Sequence, residues 1–397
     1  MRFLHTIPSA DPALGGPIEA MNRLGAALES RGHTTEIVST DPPTASWLDA
    51  PPLKIHALGP IRGASLGAGV RRYSYAPNLL PWLRARGQAY DVVVVHGLWQ
   101  YLSFAAWSAF QGGAVPYVVY PHGMLDPWFK RRYPVKHLKK WLYWPWADYR
   151  LLRDARCVVF TSDEERVLAR ESFWLYRAQE EVIRYGTADP LPVDPDAHAQ
   201  FLEAHPMLAG REVVLYLSRI TRKKGCDLVI RAFAEAVGRN PELRLVMAGP
   251  DENYRDDLVF LAAELGVGDK IVWPGKLAGN LKWGAFATAS AFILCSHQEN
   301  FGVAVAEALA CGVPVLISDK VNIHREISGA RAGLVAPDTL DGARQLFSGW
   351  GEMGVLERAA MGRRARALFL SSFGVEGMAE SFLGIIERRV LGATRYD

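Results

Sequence analysis

Two glutamates, Glu299 and Glu307, are the residues of this sequence whose spacing best suits chemistry on a ligand. The run AFILCSHQENFGVAVAEALACGVPVLIS, residues 291–318, predicts a buried strand over 291–295, a helix over 302–310 and a second buried strand over 313–317. Glu299 would lie in the loop after the first strand and Glu307 inside the helix. A strand, a helix and a parallel strand form a βαβ unit, which binds ligands at the carboxyl ends of its strands. The two carboxylates are therefore expected at different depths of one crevice.

The flanks of these glutamates favour a ligand that carries both an anion and a diol. Glu307 stands between two alanines in a helix with almost no charge, so its carboxylate needs a partner. A ribose diol would be suitable because it can donate two hydroxyl protons. The amides at the start of the helix, residues 301–304, offer an anion site. The alternative is that Glu299 is only a helix-start carboxylate favoured by the helix dipole and that Glu307 is a solvated helix residue.

This stretch resembles the signature of the retaining glycosyltransferases of family 4, which have the two-domain GT-B fold. The matching residues are Glu299-Asn300-Phe301-Gly302, Glu307-Ala308 and Cys311-Gly312-Val313-Pro314-Val315. The resemblance implies that Glu307 binds the ribose of a nucleotide sugar. It also implies that Glu299 holds the donor sugar together with the amides of Asn300, Phe301, Gly302 and Val303.

Other loops that would bind the donor are rich in cations or glycine. Residues 218–225, SRITRKKG, place four cations in a predicted strand-to-helix turn, where a diphosphate could bind. The family pattern puts Arg219 and Lys224 at the phosphates, whereas a solvated basic turn is the alternative. The resemblance further implies that Gly15 and Gly16 lie near the donor phosphates and that Asp251 lies beside the base.

Two histidines end predicted parallel strands in the first half of the chain. His96 closes the strand 91–96, and His122 follows the strand 115–120. The string HGMLDPW, residues 122–128, resembles the family branch that builds bacterial surface polysaccharides. The resemblance implies that His122 contacts the transferred sugar and acts with Glu299, Arg219 and Lys224 in catalysis. We expect His96, Trp99 and Asp126 on the acceptor side, although a single histidine in such a loop is more often structural.

The segment 128–153, WFKRRYPVKHLKKWLYWPWADYRLLR, combines eight Lys or Arg residues with many aromatic residues, and Asp148 is its only acid. This composition predicts an interfacial helix on anionic lipid, with the tryptophans at 128, 141, 144 and 146 inserted in the surface. A solvated helix whose aromatic residues pack inward is the alternative. RNA binding is a third reading, but no RNA-binding motif accompanies the charge, so we expect no nucleic-acid partner.

Composition excludes several other classes of protein. The net charge of the 397 residues is only +3, and the four cysteines show no CxxC spacing, so neither a zinc site nor a disulfide framework is indicated. Asp11 interrupts the amino terminus too early for a secretory signal. We therefore expect a cytoplasmic protein, peripheral on the inner face of the plasma membrane, with no metal and no cofactor.

The whole chain predicts an α/β protein with two doubly wound Rossmann-like domains facing across a cleft. Residues 1–190 would form the acceptor domain, 208–370 the nucleotide-sugar domain and 371–397 a helix crossing back to the first domain. Residues 186–206, rich in Pro, Asp and Ala, read as a linker.

The predicted function is retaining hexosyl transfer from a nucleotide diphosphate sugar to a saccharide acceptor. We expect that acceptor to be carried on a polyprenyl lipid, in bacterial polysaccharide synthesis. The branch resemblance favours GDP-mannose or a related GDP-sugar as donor. Three alternatives stay open: a nucleotide-sugar epimerase, a non-catalytic protein that binds sugar nucleotides, and a polyanion-binding protein.

Overall fold

The computed structural model describes residues 1–12, 16–60 and 73–392 of the chain. It divides into one unit formed by Met1–Tyr185 with Val375–Asp397 and a second unit formed by Gly186–Gly374. The division therefore lies at Tyr185 rather than at residue 190. The predicted Gly15 lies outside the described residues.

The first unit is built on a seven-stranded sheet in which every described pair of neighbours is parallel. The strand order is β3-β2-β1-β4-β5-β6-β7, with β1 Arg2–Ile7, β2 Thr34–Ser39, β3 Lys54–Ala57, β4 Val92–His96, β5 Tyr117–Tyr120, β6 Cys157–Phe160 and β7 Glu180–Val182. The described helices of this part of the chain are α1 Gly16–Glu29, α2 Leu79–Arg86, α3 Tyr101–Phe110, α4 Trp128–Arg132, α5 Pro134–Tyr143, α6 Asp148–Asp154 and α7 Asp163–Ala169.

The second unit has a six-stranded parallel sheet. Its order is β10-β9-β8-β11-β12-β13, with β8 Glu212–Leu217, β9 Leu243–Ala248, β10 Ile271–Gly275, β11 Ala291–Leu294, β12 Val315–Ser318 and β13 Gly333–Ala336. Its helices are α8 Ala197–Ala204, α9 Cys226–Arg239, α10 Arg255–Glu264, α11 Gly279–Thr288, α12 Val303–Ala310, α13 His324–Ala330, α14 Leu340–Glu352 and α15 Val355–Leu368.

Both sheets form doubly wound, Rossmann-like layers, and the predicted fold class is confirmed. The central strands are continuous apolar runs such as Val92–Val95, fully buried, as strands covered on both faces require. The order of the strands reverses between β1 and β4 in the first sheet and between β8 and β11 in the second. Such reversal points open a crevice at the carboxyl ends of the strands.

The last helix, α16 Val375–Ile386, belongs to the first unit. Its Phe382 packs edge-on against Phe3 of β1, with ring centroids 5.2 Å apart, and both side chains are fully buried. The helix thereby adds apolar surface to the core beside the first strand.

The predicted linker is not an unstructured connection. Its second half forms α8, whose Ala197 and Phe201 are fully buried against α11. Asp194 accepts hydrogen bonds from the side-chain amide of Asn280 at 2.6 Å and from the backbone amide of Asp196 at 2.9 Å. The Pro- and Asp-rich composition is thus explained by a helix start rather than by mobility of a linker.

The basic aromatic segment is also not one helix. Pro134 and Pro145 divide it, so that α4, α5, a short 3₁₀ turn Trp144–Trp146 and α6 follow each other. Trp144 is fully buried and stacks on Phe173 at a centroid distance of 4.3 Å. The expectation that Trp144 inserts in a lipid surface is therefore wrong, because this ring belongs to the core of the unit.

Candidate functional site

The loops that follow β8 and β11 bring two predicted site residues together at the reversal point of the second sheet. Lys224 and Glu299 form an ion pair, in which the Lys224 side chain is 6 % exposed and that of Glu299 is 18 % exposed. Gly225 makes this approach feasible: its φ is +63°, and a Cβ there would lie 2.0 Å from the carbonyl oxygen of Cys295. The two loops therefore touch through backbone, and their charged side chains meet.

The carboxyl group of Glu299 is held in its ionised form. Burial alone would raise its pKa, but Lys224 and the further charges of Lys223 and Arg219 keep the pKa below its usual value. The backbone of Glu299 is also fixed, since its amide donates to the carbonyl of Lys320 at 2.9 Å and its carbonyl accepts from the amide of Asn322 at 3.1 Å. A carboxylate that is ionised near neutral pH, on a backbone fixed by hydrogen bonds, therefore stands at this crevice.

The start of α12 directly follows this carboxylate. Gly302 adopts φ +78°, which turns the chain into the helix, and as a glycine it has no side chain of its own to cap the first turn. Phe301 is buried and packs against Phe373 at a centroid distance of 5.6 Å, so its side chain serves the core rather than a ligand. The amides of Asn300–Val303 and the carboxylate of Glu299 thus share one turn of chain.

Glu307 has a protein partner that the sequence did not reveal. Its carboxylate is 2 % exposed and accepts a hydrogen bond from the ammonium of Lys282 at 2.6 Å. Lys282 lies on α11, and its own side chain is 17 % exposed, beside the ring of Trp283. The interpretation that Glu307 is merely solvated is wrong, because its charge is buried and paired.

The other predicted donor residues are more exposed. Arg219 pairs with Glu252 at 2.5 Å, and about half of the Arg219 side chain is open to solvent. The carboxylate of Asp251 accepts hydrogen bonds from the amides of Tyr254 at 2.9 Å and Arg255 at 3.0 Å. Asp251 therefore closes the turn before α10, which is a structural task. Gly16 is the first residue of α1.

In the first unit, His96 and His122 belong to a row of three histidines. His5 Nδ1 lies 2.9 Å from His96 Nε2, and His96 Nδ1 lies 2.8 Å from His122 Nε2. The rings are nearly parallel, with successive centroids 5.1 Å apart. The sequence analysis did not predict a role for His5. Its position as a histidine inside a mostly apolar strand could have indicated one.

This row has one favoured arrangement of protons. Burial lowers the pKa of His5 to about 3 and that of His122 to about 4, so the imidazoles are neutral near neutral pH. His5 Nε2 is buried with no hydrogen-bond partner among the described residues, so a proton there would be unsatisfied. The protons therefore belong on Nδ1 of each ring. His122 then presents an Nδ1–H donor and does not act as a base.

The backbone around His122 is held in an unusual conformation. His122 has φ +50° and is followed by a glycine whose amide donates to the buried carboxylate of Glu165 at 2.6 Å. Glu165 also accepts from the amide and hydroxyl of Thr161. A residue held in this region stores conformational energy, and such residues cluster at functional sites.

The predicted acceptor-side residues flank Met124. The Trp99 indole N–H donates to the Met124 carbonyl at 3.4 Å, and Asp126 accepts from the amide of Trp128 at 2.8 Å. Trp99 has φ +71°, and its backbone amide donates to Asp148 at 3.1 Å. The structure thus gathers Trp99 and Asp126 around one loop, and it adds the buried Asp148, which the sequence did not mark.

Family models match both halves of the chain. The model "Glycosyl transferase 4-like domain" matches residues 15–186, and "Glycosyl transferases group 1" matches residues 200–346. The second match contains the pairs Lys224–Glu299 and Lys282–Glu307, and the first contains His96 and His122.

Curated relatives are identical to this chain at between a quarter and a third of the aligned residues. The mannosylfructose-phosphate synthase of Agrobacterium fabrum is 29% identical over 61% of this chain and 55% of its own length. The GDP-mannose-dependent alpha-(1-6)-phosphatidylinositol monomannoside mannosyltransferase of Mycolicibacterium smegmatis is 30% identical over 48% of this chain and 51% of its own length. The chain thus spans about half the length of these relatives. The D-inositol 3-phosphate glycosyltransferase of Stackebrandtia nassauensis is 26% identical over 84% of this chain and 79% of its own length.

Solved structures show the same fold over the full length. Sucrose-phosphate synthase from Thermosynechococcus elongatus superposes with a TM-score of 0.79 at 20% identity, covering 99% of both chains. The Anabaena protein Alr3699/HepE superposes with a TM-score of 0.75 at 17% identity, covering 98% of this chain and 100% of its own. With both family models matched and this fold in place, the chain belongs to the family 4 glycosyltransferases, which have the GT-B fold.

Proposed function

We propose that the protein is a retaining, metal-independent glycosyltransferase that moves a hexose from a nucleotide diphosphate sugar to a saccharide acceptor. The observation that carries this proposal is the largely buried pair of Lys224 and Glu299 beside the start of α12. This arrangement offers a cation and backbone amides for a diphosphate and, next to them, a fixed carboxylate for sugar hydroxyls.

In the proposed reaction the bond between the anomeric carbon and the diphosphate breaks, and a glycosidic bond forms to an acceptor hydroxyl, whose proton leaves with the phosphate. Negative charge grows on the leaving diphosphate. Arg219, Lys224 and the amides at the start of α12 would stabilise it, with about 3 kcal/mol for each well-aimed donor. Retention follows from the family resemblance, with attack on the same face that the diphosphate leaves.

For the donor, we favour GDP-mannose or a related GDP-sugar. The Mycolicibacterium relative is GDP-mannose-dependent by name, and its match supports this choice. Glu307 would accept the ribose hydroxyls while Lys282 remains paired with its carboxylate. Asp251 has its carboxylate in use at the start of α10, so a contact with the base would have to come from the backbone of that loop.

For the acceptor, we propose a lipid-linked saccharide, bound by the first unit at the membrane surface. The Mycolicibacterium relative acts, by name, on a phosphatidylinositol monomannoside, which is a lipid. On α5, Val135, Leu138 and Leu142 lie on one face and are 72 %, 60 % and 62 % exposed. Trp146 follows this helix, and the ring centroid of Trp174 lies 6.2 Å from that of Trp141 on α5; both Trp146 and Trp174 are 68 % exposed. Lys136 and Lys139 are also exposed and could meet anionic headgroups.

No helix among the described residues is both long and apolar enough to cross a bilayer. The proposed contact would therefore be made by the surface of α5, with the cations flanking it. Lys140 differs from the other lysines, because it is half-buried against the ring of Trp99.

The proposal is tested by a thermal-shift panel of UDP-, GDP-, ADP- and dTDP-sugars, followed by assays of transfer to a saccharide acceptor. We expect one base to stabilise the protein most and to support transfer with retained anomeric configuration. Stabilisation by none of the four, or interconversion of the sugar on its nucleotide without an acceptor, would reject the proposal in favour of a different activity.

A further inference from the structure

A small pocket lies between the loop after β5 and helix α5, within the first unit. Its volume is about 50 Å³, enough for a compact polar group. Aromatic, cationic and other side chains line it together, among them Phe129, His137, Lys136, Lys140, Met124 and the acid Asp126. Because Met124 and Asp126 follow His122 closely in the chain, the pocket adjoins the proposed acceptor loop.

Lys140 is the most unusual group in this pocket. Its ammonium lies 4.4 Å from the ring centroid of Trp99 and 5.5 Å from that of Phe129. This ammonium makes no hydrogen bond or ion pair with any residue that the structure describes. Burial lowers the pKa of Lys140 to about 8. An ammonium with its hydration partly removed and no acceptor for its hydrogens is costly, and an anionic ligand would relieve that cost.

Two polar neighbours of Lys140 in this pocket are Lys136 and His137. The Lys136 ammonium lies 4.8 Å from the Tyr133 ring centroid, and the His137 ring stacks on Phe173 at 4.7 Å. Burial, followed by the charges of Lys130 and Lys140, lowers the pKa of His137. The lowered pKa keeps the His137 ring neutral near neutral pH, so Lys136 and Lys140 are the cations of the pocket and His137 is a neutral donor. Two cations beside aromatic walls favour an anion.

The two nearby carboxylates already accept hydrogen bonds from other groups. Asp126 accepts from the amide of Trp128 at 2.8 Å. Asp148 accepts from the amide of Trp99 at 3.1 Å and from the hydroxyl of Ser103 at 2.9 Å. Neither carboxylate forms an ion pair with the Lys140 ammonium among the described residues, although the charge of Asp148 opposes the effect of burial on the pKa of Lys140. The hydrogens of this ammonium therefore have no carboxylate acceptor.

We propose that this pocket is a phosphate subsite, in which Lys140 with Lys136 and His137 binds the oxyanion of a phosphate ester on the acceptor. Three donor groups match the several acceptor oxygens of one phosphate. The exposed apolar residues on the same helix, Leu138 and Leu142, would lie along the chain that such a phosphate carries. The assignment rests on the proposed function, in which the first unit binds the acceptor.

The first test measures the reactivity of single lysines by acylation with acetic anhydride and peptide mass spectrometry. The probes are inorganic phosphate, vesicles that contain phosphatidic acid, and vesicles that contain phosphatidylserine at equal surface charge. We expect Lys140 to be protected about fivefold relative to the exposed Lys139 on the same helix, by phosphatidic acid and not by phosphatidylserine.

The probes separate the sources of the phosphate. Equal protection of Lys140 by inorganic phosphate would assign the site to a soluble phosphate ester, while protection by phosphatidic acid alone assigns it to a lipid phosphate. If neither probe protects Lys140 beyond Lys139, the pocket is not a phosphate subsite.

The second test compares Lys140→Met with Lys139→Met, which removes the same charge from an exposed position. Vesicle flotation should show that Lys140→Met loses the preference for phosphatidic acid over phosphatidylserine, whereas Lys139→Met keeps it. Stabilisation by the nucleotide sugar should be the same in both variants, because that ligand is assigned to the second unit. A retained preference in Lys140→Met overturns the subsite, whereas absence of nucleotide-sugar binding in all proteins would instead reject the proposed function.

Discussion

The ammonium of Lys224 and the carboxylate of Glu299 are paired within the second unit, although the family pattern assigns each of them to a different part of the donor. An ammonium has three donor hydrogens, so Lys224 can keep Glu299 and still donate to a phosphate oxygen. The pair therefore links the two halves of the proposed donor site: the charge that would bind the diphosphate also keeps the sugar-binding carboxylate ionised.

Replacing Lys224 by Met should weaken binding of the free nucleotide diphosphate by about 2 kcal/mol, since a charge-assisted contact is removed. It should also raise the pKa of Glu299, which loses its nearest cation. Isothermal calorimetry provides the measurement. Arg222→Gln is the matched control, because Arg222 belongs to the same turn, is 70 % exposed and pairs with Asp257. Unchanged affinity in Lys224→Met would place the phosphates elsewhere.

Glu307→Gln and Glu299→Gln should have different effects. If Glu307 accepts the ribose hydroxyls, its variant should lose affinity for the nucleotide alone. Glu299→Gln should keep most of that affinity and lose turnover, because this residue is assigned to the sugar. Lys282→Met should resemble Glu307→Gln, since it leaves the buried Glu307 carboxylate without its cation. Equal loss of nucleotide affinity in both glutamine variants would contradict this division.

Transfer should continue in EDTA without added Mg²⁺ or Mn²⁺. Arg219, Lys224 and the amides of α12 would balance the charge of the diphosphate, and no group of three His, Cys, Asp or Glu side chains that could hold a metal ion occurs among the described residues. The measurement is the initial rate of transfer before and after chelation. A rate abolished by EDTA and restored by either cation would show that this prediction is wrong.

Replacing Asp148 by Asn should stabilise the protein most at alkaline pH. Burial raises the pKa of Asp148 to about 7, so the folded state keeps a proton that the unfolded carboxyl releases from about pH 4 upwards. The stability that this proton provides is fully present below about pH 4 and is lost as the pH rises through 7. A difference of about three between the folded and unfolded pKa values limits this loss to about 4 kcal/mol.

Urea unfolding of the wild type and of Asp148→Asn across this pH range provides the measurement. The asparagine can keep both contacts, accepting from the Trp99 amide and donating to the Ser103 hydroxyl, which itself donates to the Gln100 carbonyl. The difference in unfolding free energy should grow as the pH rises and level off above 7. Parallel profiles for the two proteins would mean that Asp148 is ionised throughout.

Binding to anionic vesicles should weaken with salt but not vanish. Salt screens Lys136 and Lys139, whereas apolar insertion of α5 is not screened. Leu138→Ser with Leu142→Ser should reduce the salt-resistant part, and Lys136→Glu with Lys139→Glu should reduce the salt-sensitive part. Donor hydrolysis in solution should be unaffected by either pair.

The control for apolar exposure lies in the second unit. Val355 and Leu356 at the start of α15 are 83 % and 86 % exposed, and replacing both by Ser should leave vesicle binding unchanged. Vesicle sedimentation at low salt decides the matter. A wild-type protein that stays in the supernatant with anionic lipid would show that α5 does not bind membranes.

Local patterns in the sequence were sufficient for both sheets and for the family. The strand predicted over 91–96 is observed at Val92–His96, and the strand–loop–helix around Glu299 was predicted to within two residues. Buried parallel strands are continuous apolar runs, and Gly302 favours the left-handed turn that it adopts. These elements could be predicted because residues adjacent in the sequence determine them.

The charge partners were decided only by the tertiary structure. Lys282 of α11 pairs with Glu307, and His5 of β1 lies beside His96 of β4. Lys140 of α5 contacts the ring of Trp99, which lies in a loop. Composition also led to two wrong predictions, that Trp144 lies at a lipid surface and that residues 197–204 belong to a linker. The composition of an aromatic or alanine-rich stretch is the same whether its side chains face a core or water. Which side chains are desolvated, and which opposite charge or ring lies beside them, depends on how separate elements pack, and no spacing along the chain encodes that distance.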